Sequence, residues 1–117
     1  MKRPPPGEGD DLPVDVRTAV TATLEPGERI ERHVPVVGAD LLMTRRRLIV
    51  VRHGHDFRPA TGIRSWRFDS QLVLRIEPGL LRIEVPWTVT TVLYHAPQQV
   101  AIRSLVAAAS RRSGGRW

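Results

Sequence analysis

The chain has 117 residues, a mass of 13.2 kDa and no cysteine, which excludes a disulfide framework, a thiolate-ligated zinc site and a cysteine nucleophile. Hydrophobic residues make up 41% and charged residues 26%, an ordinary globular composition, while ten prolines and nine glycines favour strands and turns over a helical bundle. The net charge of +6 is uneven: residues 1–31 carry four basic and seven acidic groups, and residues 32–117 carry fourteen basic and five acidic ones, a sum of +9.

Residues 1–11, rich in Pro, Gly and Asp, are expected to form a disordered arm, and residues 113–117 a flexible tail, around one domain at 12–112. The N-terminus has no apolar core after its charges, and no apolar run approaches the roughly 20 residues of a spanning helix, so a cytoplasmic protein is expected. Asp11 and Pro13 suit the start of a short helix, in which Val16, Val20 and Leu24 form one apolar stripe that Pro26-Gly27 ends.

From Ile30 the period changes to that of strands. Ile30 to Val37 reads as a strand, with Pro35 marking an edge or bulge. Gly38-Ala39-Asp40 reads as a turn into Leu41 to Thr44, and Arg45-Arg46 as the next turn. Leu48 to Val51 is apolar on both faces and belongs at a sheet centre or under a helix. His53-Gly54-His55-Asp56 reads as a turn, and Ile63 to Asp69 alternates, with Trp66 and Phe68 on one face. Leu72, Leu74 and Ile76 face Leu81, Ile83 and Val85 across a Pro78-Gly79 hairpin, and Trp87, Val89, Thr91 and Leu93 supply the last strand. Ala96-Pro97 then opens a helix whose stripe is Ile102, Leu105, Val106 and Ala109, with Arg111 and Arg112 in its last turn and Gly114 stopping it. The expected class is mainly β with terminal helices, about seven antiparallel strands closed by the C-terminal helix.

Two main segments and a shorter third resemble the small bacterial PH-like family, related to GRAM domains, within the pleckstrin-homology superfold. Leu24-Glu25-Pro26-Gly27-Glu28-Arg29-Ile30 is similar to its L-x-P-G-E-x-I lead into the first strand. Leu41-Leu42-Met43-Thr44-Arg45-Arg46-Arg47-Leu48-Ile49-Val50-Val51 is similar to its hairpin with T-x-R-R-L-hydrophobic, and Arg58 followed by Ile63 is similar to a later strand. Trp87 to Tyr94 lacks the glycine often found before the last strand of that family. The resemblance spans residues 12–112 and implies a PH-like half-open antiparallel barrel capped by the C-terminal helix, acting as a non-catalytic binding or assembly module. It also implies self-association through exposed strand edges.

Thr44 reads as structural, its hydroxyl bonding a turn amide, and so does Arg47, its stem on apolar surface and its guanidinium on turn carbonyls. Catalytic residues are not expected: no serine lies in a G-x-S-x-G elbow, no glycine-rich phosphate loop is present, and Glu25 and Glu28 read as capping or solvated groups. His53-x-His55-Asp56 superficially resembles a metallohydrolase signature, but the spacer before Asp56 is missing, so the segment reads as a polar turn and no metal or cofactor is expected. Trp66 and Trp87 read as core. The cluster that stands out is Arg45, Arg46, Arg47, Arg52, His53, His55 and Arg58, with Arg45, Arg46, Arg52 and Arg58 the candidate anion-binding residues; it falls on two loops at the ends of one strand and need not form one site. The partners this predicts are another protein, a second copy included, or anionic lipid headgroups at a membrane surface; nucleic acid is not expected, because no helix carries a basic face suited to a major groove.

Overall fold

The computed structural model describes residues 14–52, 62–68 and 71–114. The expected arm over 1–11, the expected tail and the His53-x-His55-Asp56 segment fall wholly or largely outside them. Helix α1 (Val14–Thr23) leads into strands β1 (Arg32–Val36), β2 (Ala39–Met43), β3 (Arg47–Arg52) and β4 (Ile63–Arg67). Strands β5 (Val73–Glu77), β6 (Leu80–Val85) and β7 (Thr88–Leu93) follow, then a 3-10 turn (Ala96–Gln98) and helix α2 (Gln99–Arg112). Each strand pairs antiparallel with its chain neighbour, giving a four-stranded sheet β1-β2-β3-β4 and a three-stranded sheet β5-β6-β7. The two sheets do not close into a barrel; they form the half-open, mainly β architecture with a terminal helix that the patterning predicts.

The core lies between the sheets. Leu41, Met43, Leu48 and Val50 meet Leu74, Leu81, Ile83 and Val92, and α2 inserts Ile102, Leu105 and Ala109 among them. Val106, on the same stripe, is half-buried at the margin of this cluster. Positive φ at Gly114 (+85°) lets its N–H turn back to the Arg111 carbonyl, 3.3 Å, and the helix stops there.

The four-stranded sheet is covered on its other face as well. Val16 and Val20 of α1 pack on Leu42, Ile49 and Val51, with Leu24, Ile30 and Ile63 at the edge of this second cluster. That double cover explains why Leu48 to Val51 is apolar throughout: Leu48 and Val50 face α2, Ile49 and Val51 face α1.

Three local expectations are corrected. Asp40 is a strand residue, not a turn residue, because β2 begins at Ala39; it lies buried under the α1 side of the sheet, where its Oδ1 is 2.5 Å from Nε2 of His33. The first strand starts at Arg32, although the Glu31 N–H already donates to the Met43 carbonyl, 2.7 Å. Trp87 is not core: it sits on the β6–β7 turn with 71% of its surface exposed, while Trp66 is half-buried against the main cluster. In β7 the inward set is Thr90 and Val92, followed by Tyr94, and Val89 and Leu93 point outward.

Candidate anion-binding site

The two motif segments meet at one point. Gly27 adopts φ +78°, a conformation that favours glycine, and the turn it makes brings Glu28 N–H to the Glu25 carbonyl at 2.9 Å. The Glu28 side chain is thereby directed inward and is completely buried. Its Oε2 accepts from the Thr44 hydroxyl at 2.6 Å and from Arg47 Nε at 2.9 Å, and its Oε1 accepts from Arg47 Nη2 at 2.7 Å and from the Glu25 N–H at 2.9 Å. The Arg47 fork is bidentate, and its Nη2 also reaches the Thr23 carbonyl at the end of α1, 2.5 Å. Arg47 above all, with the Thr44 hydroxyl and the Glu25 N–H, holds the Glu28 carboxyl down to about 2 from its ordinary 4.5 against the opposing effect of burial. The same contact raises Arg47 further above its already high value.

Thr44 also closes the β2–β3 turn: its hydroxyl oxygen accepts from the backbone N–H groups of Arg46, 3.1 Å, and Arg47, 3.2 Å. Both residues are structural, as their sequence context indicates, but the carboxylate that joins them is new. No local signal pointed to Glu28, because its partners stand 16 and 19 residues away.

Around this buried pair lies an exposed layer of opposite charges. Glu25 accepts from Arg46 Nη1 at 2.8 Å and from Arg67 Nη2, and Glu31 accepts from Arg112 Nη2 at 2.9 Å. An open groove of about 870 Å³ runs between the Gly27 turn, the β2–β3 turn and the end of α2, with Arg29, Arg45, Arg46 and Arg112 on its walls. Six arginines (29, 45, 46, 47, 67 and 112) face three glutamates (25, 28 and 31) there, so the region carries +3. Among the described residues, no hydrogen bond or ion pair engages the side chains of Arg29 and Arg45.

The four candidate arginines therefore separate. Arg45 and Arg46 share the groove. Arg52 stands at the opposite end of β3, on the order of 17 Å away by strand rise, and its Nη2 donates to the Thr91 carbonyl at 2.8 Å. Arg58 lies outside the described residues. The groove instead includes Arg29 and Arg112, which sequence reading assigned to a strand lead and a helix dipole; only folding places them beside Arg45. Among the described residues no group of three or more His, Asp or Glu side chains gathers as metal donors, and no helix is long and apolar enough to cross a membrane. Comparison with known protein families, with curated proteins and with solved structures finds no match to this chain.

Proposed function

We propose that this chain is a non-catalytic, PH-like binding module whose ligand is anionic, and that Arg29 and Arg45 make the first contacts with it. The observation that carries this reading is the pair of unengaged guanidinium groups on one groove with net positive lining, each offering a planar fork suited to phosphate or carboxylate. A non-catalytic role is supported by the pairing of the nearby carboxylates: Glu25, Glu28 and Glu31 are each committed to an arginine, and Glu28, held low by Arg47, is poorly suited to general acid chemistry. The module would act in the cytoplasm, on a protein carrying acidic or phosphorylated groups.

A second reading, peripheral binding to anionic phospholipid, draws on the same arginines and differs in the source of the phosphate. Titration with pyrophosphate, and separately with phosphatidylserine and phosphatidylcholine vesicles, tells the sources apart. The expected result is weak, salt-sensitive binding, since each arginine near an anionic surface contributes about 1 kcal/mol and salt screens it. The Arg29→Ala/Arg45→Ala protein should lose most of it, and Arg46→Lys little, because Arg46 already leans on Glu25. Binding to phosphatidylserine vesicles but not to pyrophosphate would favour the membrane reading. Absence of any binding at low salt, or binding indifferent to Arg29 and Arg45, would end both.

A further inference from the structure

The two sheets are treated differently on their outer faces. The four-stranded sheet carries α1 across its back; the back of the three-stranded sheet carries no helix among the described residues. The register fixes what that face displays. Val73, Glu84 and Val89 form one row across β5-β6-β7, Arg75, Arg82 and Thr91 the next, and Glu77, Leu80 and Leu93 the last. Val89 is 50% and Leu93 53% exposed, Trp87 extends the apolar line at one end, and Val37, 42% exposed, extends it at the other, where its N–H donates to the Leu93 carbonyl at 2.9 Å. Of the five exposed large apolar side chains of the described residues, two thus lie on β7 and two more, Trp87 and Val37, on turns next to it.

Charge distinguishes this face from the rest of the surface. Its two arginines, Arg75 and Arg82, are balanced by Glu77 and Glu84, and both arginines pair with Glu84, at 3.1 and 3.3 Å. The chain carries a net charge of +6, so two copies repel one another overall, whereas here a neutral surface meets a neutral surface. A two-fold axis through the face would set each apolar line against its copy and each Arg-Glu cluster against another of mixed sign.

We infer that the outer face of β5-β6-β7 is a self-association surface and that its occupant is a second copy of this chain. This goes beyond the arginine groove and does not rest on it. It also relocates the self-association that the family resemblance implies, from strand edges to a sheet face. Three of the four edge strands are poorly suited to pairing: β4 carries Arg64 and Arg67, the β7 carbonyls of Thr91 and Leu93 accept from Arg52 and Val37, and the Pro35 carbonyl of β1 accepts from the Gln98 side chain; the fourth, β5, carries the exposed charges Arg75 and Glu77. Three strands at ~4.8 Å spacing and six residues at ~3.3 Å give a footprint on the order of 300 Å², well below the ~800 Å² per partner of a standard interface, so the dimer is weak and reversible.

Sedimentation of the full chain from about 10 μM to about 1 mM, spanning the affinity range of such contacts, tests this. The expected result is a shift from 13.2 kDa toward twice that mass as concentration rises. Trp87→Glu and, separately, Leu93→Glu should remain monomeric at the highest concentration with an unchanged far-ultraviolet spectrum. Val100→Glu, on the most exposed apolar residue and in a different element, should dimerise like the parent. The Arg29→Ala/Arg45→Ala protein should do so too, which keeps this outcome separate from that of the groove. If a glutamate variant does not fold, Val89→Arg replaces it. A parent chain monomeric at every concentration, or a dimer untouched by these face variants, overturns the inference. So does a monomer taken up by phosphatidylcholine vesicles through Trp87, which would give the face to a bilayer.

Discussion

Glu28 carries its charge into the interior because four donors meet it there, two of them from one guanidinium. Removing either partner leaves the other buried and uncompensated, which costs about 3–5 kcal/mol. We therefore expect Glu28→Gln and Arg47→Met each to lower the urea midpoint strongly, and the double variant to lose less than the two losses added, since the pair is coupled. The pH dependence has a definite sign. The folded-state value of Glu28 lies below the unfolded one, so its contribution is full above about 4.5 and is lost as pH falls toward about 2. That shift corresponds to something on the order of 3 kcal/mol, and urea titrations at pH 6 and pH 3 should show a smaller difference in Glu28→Gln than in the parent. How the sequence relates to this site is instructive. Thr44 and Arg47 announce themselves as hairpin residues because they flank the turn that the Thr44 hydroxyl closes; Glu28 resembles any solvated acid beside a Pro-Gly turn until α1 and its connection fold back over β3.

At the scale of elements, hydrophobic period identified what is buried most surely where a helix or strand has one consistent stripe. Ile102, Leu105 and Ala109 of α2 are fully buried, and Leu105→Ala should cost about 2–5 kcal/mol, measured as a fall in the denaturant midpoint with an unchanged slope. The apolar run of β3 required cover on two sides, and α1 and α2 supply it. β7 was not legible in the same way. Its alternating sets, Trp87, Val89, Thr91 and Leu93 against Thr88, Thr90, Val92 and Tyr94, are equally suited to burial, so period two gives a strand without a phase. The phase is set outside the strand: Tyr94 N–H donates to the Gly79 carbonyl at 3.0 Å and its hydroxyl to the Glu77 carbonyl at 2.9 Å, which anchors Tyr94 inward and turns Leu93 out. Asp40 escaped for a related reason, since an acid just after a glycine suggests a turn, whereas His33 on the neighbouring strand helps to make its burial tolerable.

For the whole molecule, the decisive contacts are those that tie one sheet to the other. Arg52 donates to Thr91 and Val37 to Leu93, so Arg52, a candidate anion-binding residue in the sequence, also acts as a clamp between the sheets. Replacing Arg52 by Met should reduce stability by about 0.5–1.5 kcal/mol, the usual net worth of one hydrogen bond, and leave pyrophosphate and vesicle binding unchanged. Binding that fell with Arg52→Met would show that the two ends of β3 act together after all. The arginine-rich composition was readable at once, but its division into clamp, latch and open groove depends on which turns the fold brings together, and spacing along the chain does not encode that.

The arginines on β4 also bear on how the chain is made. Because β2, β3 and β4 each pair with the strand before them, the four-stranded sheet can assemble once residue 67 has left the ribosome, while the helix that covers its inner face ends at residue 112. At ~5–20 residues per second that interval lasts on the order of 2–9 s, during which Leu41, Met43, Leu48 and Val50 lack their α2 neighbours. The nascent sheet then has two open edges, β1 and β4, and β4 is the one that is made last. Arg64 and Arg67 stand on that strand, and two nascent sheets that approach there bring four positive charges together before any strand can pair. Neutral residues at these two positions would leave the finished molecule nearly as stable while increasing the share of newly made chain that aggregates, and the interval before α2 emerges is when that loss would occur.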